Sequence, residues 1–310
     1  MELVTRSDLD GLVAGAILLD AGIIEEGNVR FVHPKDVQDG LIPLSSESIT
    51  TNLPFDPRVG LAFDHHESEK ERLGEIEEEA VREGRLYLEH EAKSAARVVY
   101  NYYKARGMIK NISEELVNAA DKCDSADLDL NDILNPSGWV LLGYIMDARS
   151  GFGRFHDFRI SNYELMMQLM HFVIDHSIDE VMQLPDVKER VQMYFDHELL
   201  AEEQIRNAGK IVDNVIVIDL RDQDVIYTGN RFKVYAMYPS VEYSIHVAWG
   251  KQKQNTAIMI GKSIVNKSGT ANIGEICLRY GGGGHEKAGT CQVENERANE
   301  VTNEIIDRLK

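Results

Sequence analysis

Two carboxylates stand one residue apart in Arg6-Ser-Asp8-Leu-Asp10-Gly11, between a short apolar segment and a longer one. In a strand, residues i and i+2 share a face, so Asp8 and Asp10 could offer oxygens to one or two hard cations. Either could equally cap the helix expected from Leu12, because Asp is a good N-cap. A second set, Asp64-His65-His66, directly follows the apolar Val59-Gly-Leu-Ala-Phe63. Its mixed nitrogen and oxygen donors suit manganese, iron or zinc, although adjacent histidines can also simply cover a loop. A third cluster, Asp121-Lys-Cys-Asp124-Ser-Ala-Asp127, comes after a helical stretch, where acids oppose the macrodipole and call for a compensating charge or a plain polar loop. The fourth is Arg279-Tyr-Gly281-Gly282-Gly283-Gly284-His285-Glu-Lys287. Glycines permit close backbone approach and amides aimed at an anion, with His285 and Lys287 as further donors; the alternative is a flexible turn. Finally, Asp147-Ala-Arg149-Ser-Gly151-Phe-Gly153-Arg154 reads as a loop whose arginines could meet a phosphate or merely decorate a turn.

The first half alternates short apolar runs with helical stretches. Strands are expected at residues 2–4, 29–32, 47–51 and 59–63, with helices at 12–20, 67–84, 92–106 and 114–122. Such βαβ alternation implies an α/β fold with a parallel sheet, whose ligands gather at the C-terminal strand ends. Asp8, Asp10 and Asp64–His66 then fall at one sheet edge. After residue 161 the chain turns helical, breaks at Pro185, and can form one long amphipathic helix over 186–210. A β-rich region follows, with strands expected at 212–220, 232–237, 243–249 and 256–261. It closes on a helix, the glycine cluster, a strand and a helix over 294–309. Three parts result: a parallel-sheet domain over 1–186, a linker helix over 187–210, and a smaller α/β domain over 211–310.

Length and charge bound the rest. At 310 residues the chain can bury two cores, and 43% hydrophobic and 27% charged residues are ordinary for a globular protein. Three cysteines without a CxxC pattern suggest free thiols in a reduced, cytoplasmic setting, with no signal peptide or membrane span expected. A net charge of −19 repels long polyanions, so extended duplex nucleic acid is a poor partner, whereas a small anion remains admissible beside a metal or local basic groups.

Asp8-Leu-Asp10-Gly11, Asp64-His65-His66, the Asp124 loop and the Gly281–Gly284-His285 run, in that order, resemble the DHH phosphoesterase superfamily with its DHHA1 domain, near the exopolyphosphatase-related and nanoRNase-like members. The resemblance implies a two-domain fold and hydrolysis of a phosphoester or phosphoanhydride by one or two divalent ions, usually manganese. It carries metal-ligand roles onto Asp8, Asp10, His65, Asp124 and, at a changed position, Asn52. Asp64 and His66 become catalytic or substrate-facing candidates, and Gly282, Gly283, Gly284, His285 and Lys287 substrate-binding ones.

Two positions depart from the family. Arg6 stands where complete sites have a histidine, and Asn52 where they have a bridging Asp. Arginine has no lone pair for a metal, and asparagine brings a carbonyl without charge. Three readings remain open here: a one-metal enzyme in which Arg6 holds a substrate phosphate and shares in catalysis; a two-metal site rebuilt with His33 or Asp36; or a nucleotide- or phosphate-binding protein without turnover. Expected partners are a small phosphate-containing substrate (short oligonucleotide, nucleotide phosphate or polyphosphate) and at most a second copy as a homodimer, with no membrane.

Overall fold

The computed structural model describes residues 1–66 and 74–310, which divide into two compact units. Unit 1 comprises Met1–Leu128 and Pro136–Gln192, and unit 2 comprises Asp129–Asn135 and Met193–Lys310.

Unit 1 is built on five parallel strands: β1 (Glu2–Thr5), β2 (Val29–Phe31), β3 (Ser48–Thr51), β4 (Leu61–Asp64) and β5 (Leu86–Leu88), in the order β2-β1-β3-β4-β5. Residues paired across parallel strands point the same way, so Thr5, Thr51, Phe63 and Tyr87 share one face and Val4, Thr50, Ala62 and Leu86 the other. Both faces are covered, as parallel sheets require. Val4 packs on Val37 of α2 (Pro34–Gln38), and Ala62 on Ala80 of α3 (Glu75–Arg82). On the opposite face lie α1 (Leu9–Asp20) and α4 (Ala95–Lys104), whose Tyr102 and Tyr103 rings meet Phe63. Helix α1 is buried on nearly every side, because α4, α5 (Glu114–Asp124) and later helices pack around it. The helix expected over 67–84 is described only from residue 74; residues 67–73 lie outside the described residues.

Unit 1 continues after α6 (Leu130–Leu134), which belongs to unit 2, with α7 (Gly138–Met146), α8 (Asn162–Phe172) and α9 (Ile178–Val181). Helix α10 (Pro185–Ala208) contains the division, between Gln192 and Met193. Among the described residues no helix is long and apolar enough to cross a membrane.

Unit 2 carries a six-stranded mixed sheet ordered β10-β11-β9-β8-β7-β6. Its strands are β6 (Gly209–Val212), β7 (Val215–Asp219), β8 (Tyr243–Trp249), β9 (Thr256–Lys262), β10 (Gly283–His285) and β11 (Ala288–Val293). Ile273, Ile276 and Cys277 of α12 (Ile273–Leu278) and Val301, Ile305 and Ile306 of α13 (Ala298–Leu309) close its core against Val215, Ile245, Val247 and Ile258.

Two sequence expectations change here. Residues 212–220 form the end of one strand and a second strand, because Asp213 takes a left-handed turn (φ 54°) between β6 and β7. Residues 232–237 are not a strand; they begin a short helix, α11 (Lys233–Met237). Asn230 folds the chain there by accepting from the Phe232 amide at 2.8 Å, and the Lys233 ammonium is buried against Glu198 at 2.7 Å. A short apolar run carries no periodicity strong enough to choose between strand and helix, so these local polar contacts decide.

Candidate functional site

The C-terminal ends of β1, β3 and β4 lie side by side in the sheet, and the hydroxyls of Thr5 and Thr51 tie two of them at 2.7 Å. The chain then enters α1 so close to β1 that a Cβ on Gly11 would stand 2.0 Å from the Arg6 carbonyl oxygen, which is why glycine follows Asp10. Asp8 does two jobs. Its Oδ1 accepts from the Gly11 amide at 2.9 Å and caps α1, while Oδ2 lies 3.0 Å from Arg6 Nε. The cap reading of Asp8 is thus realised, with its second oxygen turned to Arg6.

Asp10 points elsewhere. Its carboxylate accepts from the amides of Ala95 (3.1 Å) and Ala96 (2.7 Å) in the first turn of α4, where the helix dipole favours an anion. Burial, with Asp124 and Asp8 nearby, nonetheless raises its pKa to about 8. Asp124, the last residue of α5, lies 3.1 Å from His65 Nε2, and His65 Nδ1 is 3.1 Å from the Ala92 carbonyl oxygen, which fixes the ring. Burial disfavours a charged His65, but the Asp124 carboxylate and the other acids outweigh it and bring the pKa to about 9. Burial would raise Asp124, yet His65, His66 and Arg6 hold its carboxyl well below the usual range.

Two groups of three potential ligands result: Asp10, His65 and Asp124, and Asp64, His65 and His66. In the second, Asp64 Oδ1 accepts from the His65 amide at 2.8 Å and lies 2.7 Å from His66 Nδ1. Asp8 belongs to neither group. Asn52 is buried just after β3 in a left-handed conformation (φ 54°), its Nδ2 3.5 Å from Asp8. His65 Nε2 pairs with Asp124, whereas Asn52 Oδ1 is buried with no hydrogen-bond partner among the described residues. Buried polar atoms of this kind are rare and point to a missing partner.

Two other candidates of unit 1 stay outside these ligand groups. His33 is exposed and caps its own helix α2, and neither His33 nor Asp36 joins a ligand group among the described residues. Gly283–His285 form the edge strand β10, and His285 Nδ1 accepts from the Lys287 amide at 3.2 Å, with both side chains exposed. A Cβ on Gly284 (φ +153°) would come 2.3 Å from the Ala288 carbonyl oxygen, whereas one on Gly283 would meet nothing within 4 Å. Gly282 and Gly284 therefore serve the hairpin with β11, whereas the Cβ positions of Gly281 and Gly283 are open.

Arg149 was legible only as one of two loop arginines. In the structure it lies in the field of Asp8 and Asp124, while no such partner attends Arg154. The Ala95 and Ala96 amides could have been sought through Ser94, a typical N-cap three residues before Arg97.

Comparison with known proteins bears on this arrangement. No family model matches the chain, and no curated protein does. Among solved structures, the pGpG-specific phosphodiesterase PggH of Vibrio cholerae is 44% identical, covering 99% of this chain and 98% of that one, with a TM-score of 0.78. An exopolyphosphatase-related protein of Bacteroides fragilis shares the fold at 12% identity (99% and 92% covered, TM-score 0.51). So does a DHH domain from a member of the s1p family of ribosomal proteins, at 14% identity (100% and 87% covered, TM-score 0.54). With 44% identity along nearly the whole of both chains, and Asp64-His65-His66 closing the fourth strand of a parallel sheet, the chain belongs to the DHH phosphoesterase superfamily and is a hydrolase of that family.

Proposed function

We propose that this protein is a metal-dependent phosphodiesterase of short oligonucleotides, with a 5′-phosphorylated dinucleotide such as pGpG as its first substrate. The observation that carries this reading is the 44% identity to a pGpG-specific phosphodiesterase over 99% of the chain.

The donor set fits one divalent cation. Asp10, His65 and Asp124 offer oxygen and nitrogen atoms within 4.8 Å of one another, and the unpartnered Asn52 Oδ1 lies in the same site, beside Asp8. These three would hold the ion, and manganese suits such a mixture. When bound, the cation supplies Lewis-acid activation and neutralises charge on the phosphoryl oxygens.

The chain's own residues do the rest. The two amides at the start of α4 hold the Asp10 carboxylate in one orientation. Ala92 does the same for the His65 ring. Asp64 holds His66 through Nδ1, and although burial opposes a charge there, Asp64 raises the His66 pKa. A protonated, oriented imidazolium can give a proton to the departing oxygen, the role assigned to His66. Asp8 tethers Arg6 by Nε, so the guanidinium is pre-set for a phosphoryl oxygen at the place where relatives carry a second ligand set. Asn52 Nδ2 lies 3.5 Å from the same Asp8 oxygen. Residues 1–186 are the catalytic domain in this reading, 187–210 the linker, and 211–310 a DHHA1 domain in which Gly282–Gly284, His285 and Lys287 are assigned to substrate binding.

The test is turnover by the purified protein with Mn2+ on pGpG, pAp, cyclic dinucleotides and short polyphosphate. Cleavage of pGpG in preference to the others is expected. Binding without turnover under every divalent metal sinks the hydrolase reading, and cleavage of another substrate alone corrects the substrate.

A further inference from the structure

The segment after α7 is a tight polar turn. Asp147 Oδ1 accepts from the Arg149 amide at 2.9 Å, the Ser150 hydroxyl donates to the Asp147 carbonyl oxygen at 2.6 Å, and Gly151 closes the turn with φ 92°. The same carboxylate takes the Arg149 side chain, whose Nε donates to Oδ1 at 2.8 Å and to Oδ2 at 3.0 Å. Helix α7 brings this turn to the cluster by packing closely on α5, since a Cβ on Gly143 would lie 2.8 Å from Cys123 Sγ.

Arg149 and Arg6 are built alike. Each guanidinium is held at Nε by its own aspartate, Asp147 and Asp8 respectively, and neither donates an Nη hydrogen bond to any described residue. Both lie in the fields of Asp8 and Asp124. Both keep solvent access, with 26% of the Arg6 side chain and 38% of the Arg149 side chain exposed. An edge of two Nη groups matches two oxygens of a phosphate. In a chain of net charge −19, two tethered guanidiniums with unused edges at one acidic cluster call for an anionic ligand with more than one phosphate.

We propose that Arg149 is a second phosphate-binding group of this site, which takes the terminal phosphate of a dinucleotide while Arg6 attends the internucleotide one. The consequence is a preference for the 5′-phosphorylated dinucleotide over the same dinucleotide without that phosphate. The proposal rests on the dinucleotide reading above for the identity of the ligand, and on the two arginines for its specificity.

The test is calorimetric binding, in Mn2+, of pGpG and GpG made hydrolysis-resistant by a methylene in the internucleotide linkage. Wild-type protein is expected to favour the pGpG analogue by about 10- to 100-fold, the range of a charge-assisted hydrogen-bonded pair. Arg149→Gln should narrow that ratio to about threefold or less, and Arg149→Lys should give an intermediate ratio, as a charge without the fork does. Melting curves accompany each variant, and Asp147→Asn serves as the second variant: it loosens the tether, keeps the guanidinium, and is expected to lower the ratio as well. A ratio unchanged in Arg149→Gln, or no preference in the wild type, overturns the assignment. If the wild type also hydrolyses pGpG, the hydrolase reading stands without it. An Arg149-dependent preference in a protein that turns nothing over supports the assignment and sinks that reading instead.

Discussion

The acidic end of the unit 1 sheet and the glycine hairpin of unit 2 both carry motifs that invite a phosphate, and they are built on opposite principles. At the first, Asp10, His65 and Asp124 come from three distant segments and crowd their charges together, and Asn52 Oδ1 is left without a hydrogen-bond partner among the described residues. At the second, the glycines lie together in sequence, and for Gly282 and Gly284 the missing side chain is taken up by packing against β11. Buried charge with unmatched atoms costs stability and persists only where something else supplies a partner. A glycine whose missing Cβ is filled by a neighbouring carbonyl already has a structural reason to be there. Under the proposed function, the crowded charges of the first region do the chemistry, and the second region is where packing explains part of a conspicuous motif.

The largest effect that would break this contrast is metal removal. A chelator should abolish pGpG hydrolysis, and Mn2+ at about 100 times its Kd should raise folded-state stability by about 2.7 kcal/mol, read as a rise in Tm. Activity that survives chelation would leave the buried cluster without the role given it here. Asp10→Asn keeps the shape and one acceptor oxygen but removes the charge. Turnover should fall on the order of 10³-fold, several kcal/mol of transition-state stabilisation, with far-ultraviolet circular dichroism unchanged. Restoring the family's pattern sharpens the same comparison: Arg6→His with Asn52→Asp should raise the bound Mn2+ from one ion to two by equilibrium dialysis. A stoichiometry that stays at one would show that the two departures do not limit the site.

In the hairpin, Gly284→Ala forces a Cβ to 2.3 Å from a backbone oxygen at a φ of +153° and should cost about 1–3 kcal/mol by denaturant unfolding. Gly283→Ala meets no atom and should leave the midpoint unchanged. If it nevertheless raises KM for pGpG, the hairpin contributes binding; equal destabilisation by both changes would undo the packing account.

The smallest effect concerns acid. His246 on β8 is pushed down by burial to about 4, whereas Asp10 is pushed up to about 8. Between pH 4 and 6.5 the unfolded chain binds a proton at His246 that the folded unit does not, so stability rises with pH there. Asp10 works in reverse, because its folded form holds a proton between the ordinary carboxylate range and pH 8, and stability falls as pH rises. Removing the first term by His246→Gln should lessen the loss of stability between pH 7 and pH 5 by about 1–2 kcal/mol, with the partial exposure of the ring taken into account. An identical acid loss in both proteins would show that His246 is not the group responsible.

Local sequence determined much of this protein. Short apolar runs separated by helical stretches dictated the parallel sheet, and sheet physics placed Asp8, Asp10 and Asp64–His66 at one edge. It misread residues 232–237, where Asn230 and a buried Lys233 outweigh a β-like composition. Only the tertiary structure divided the two carboxylates of one motif, sending Asp8 to Arg6 and its own helix, and Asp10 to the amides of α4, 85 residues away. It also drew Arg149 out of an ordinary turn and into the fields of Asp8 and Asp124. The reason is physical: residue types and local spacing fix which groups can bind a cation or a phosphate. Which of them meet depends on helix packing and burial, terms that no single segment contains.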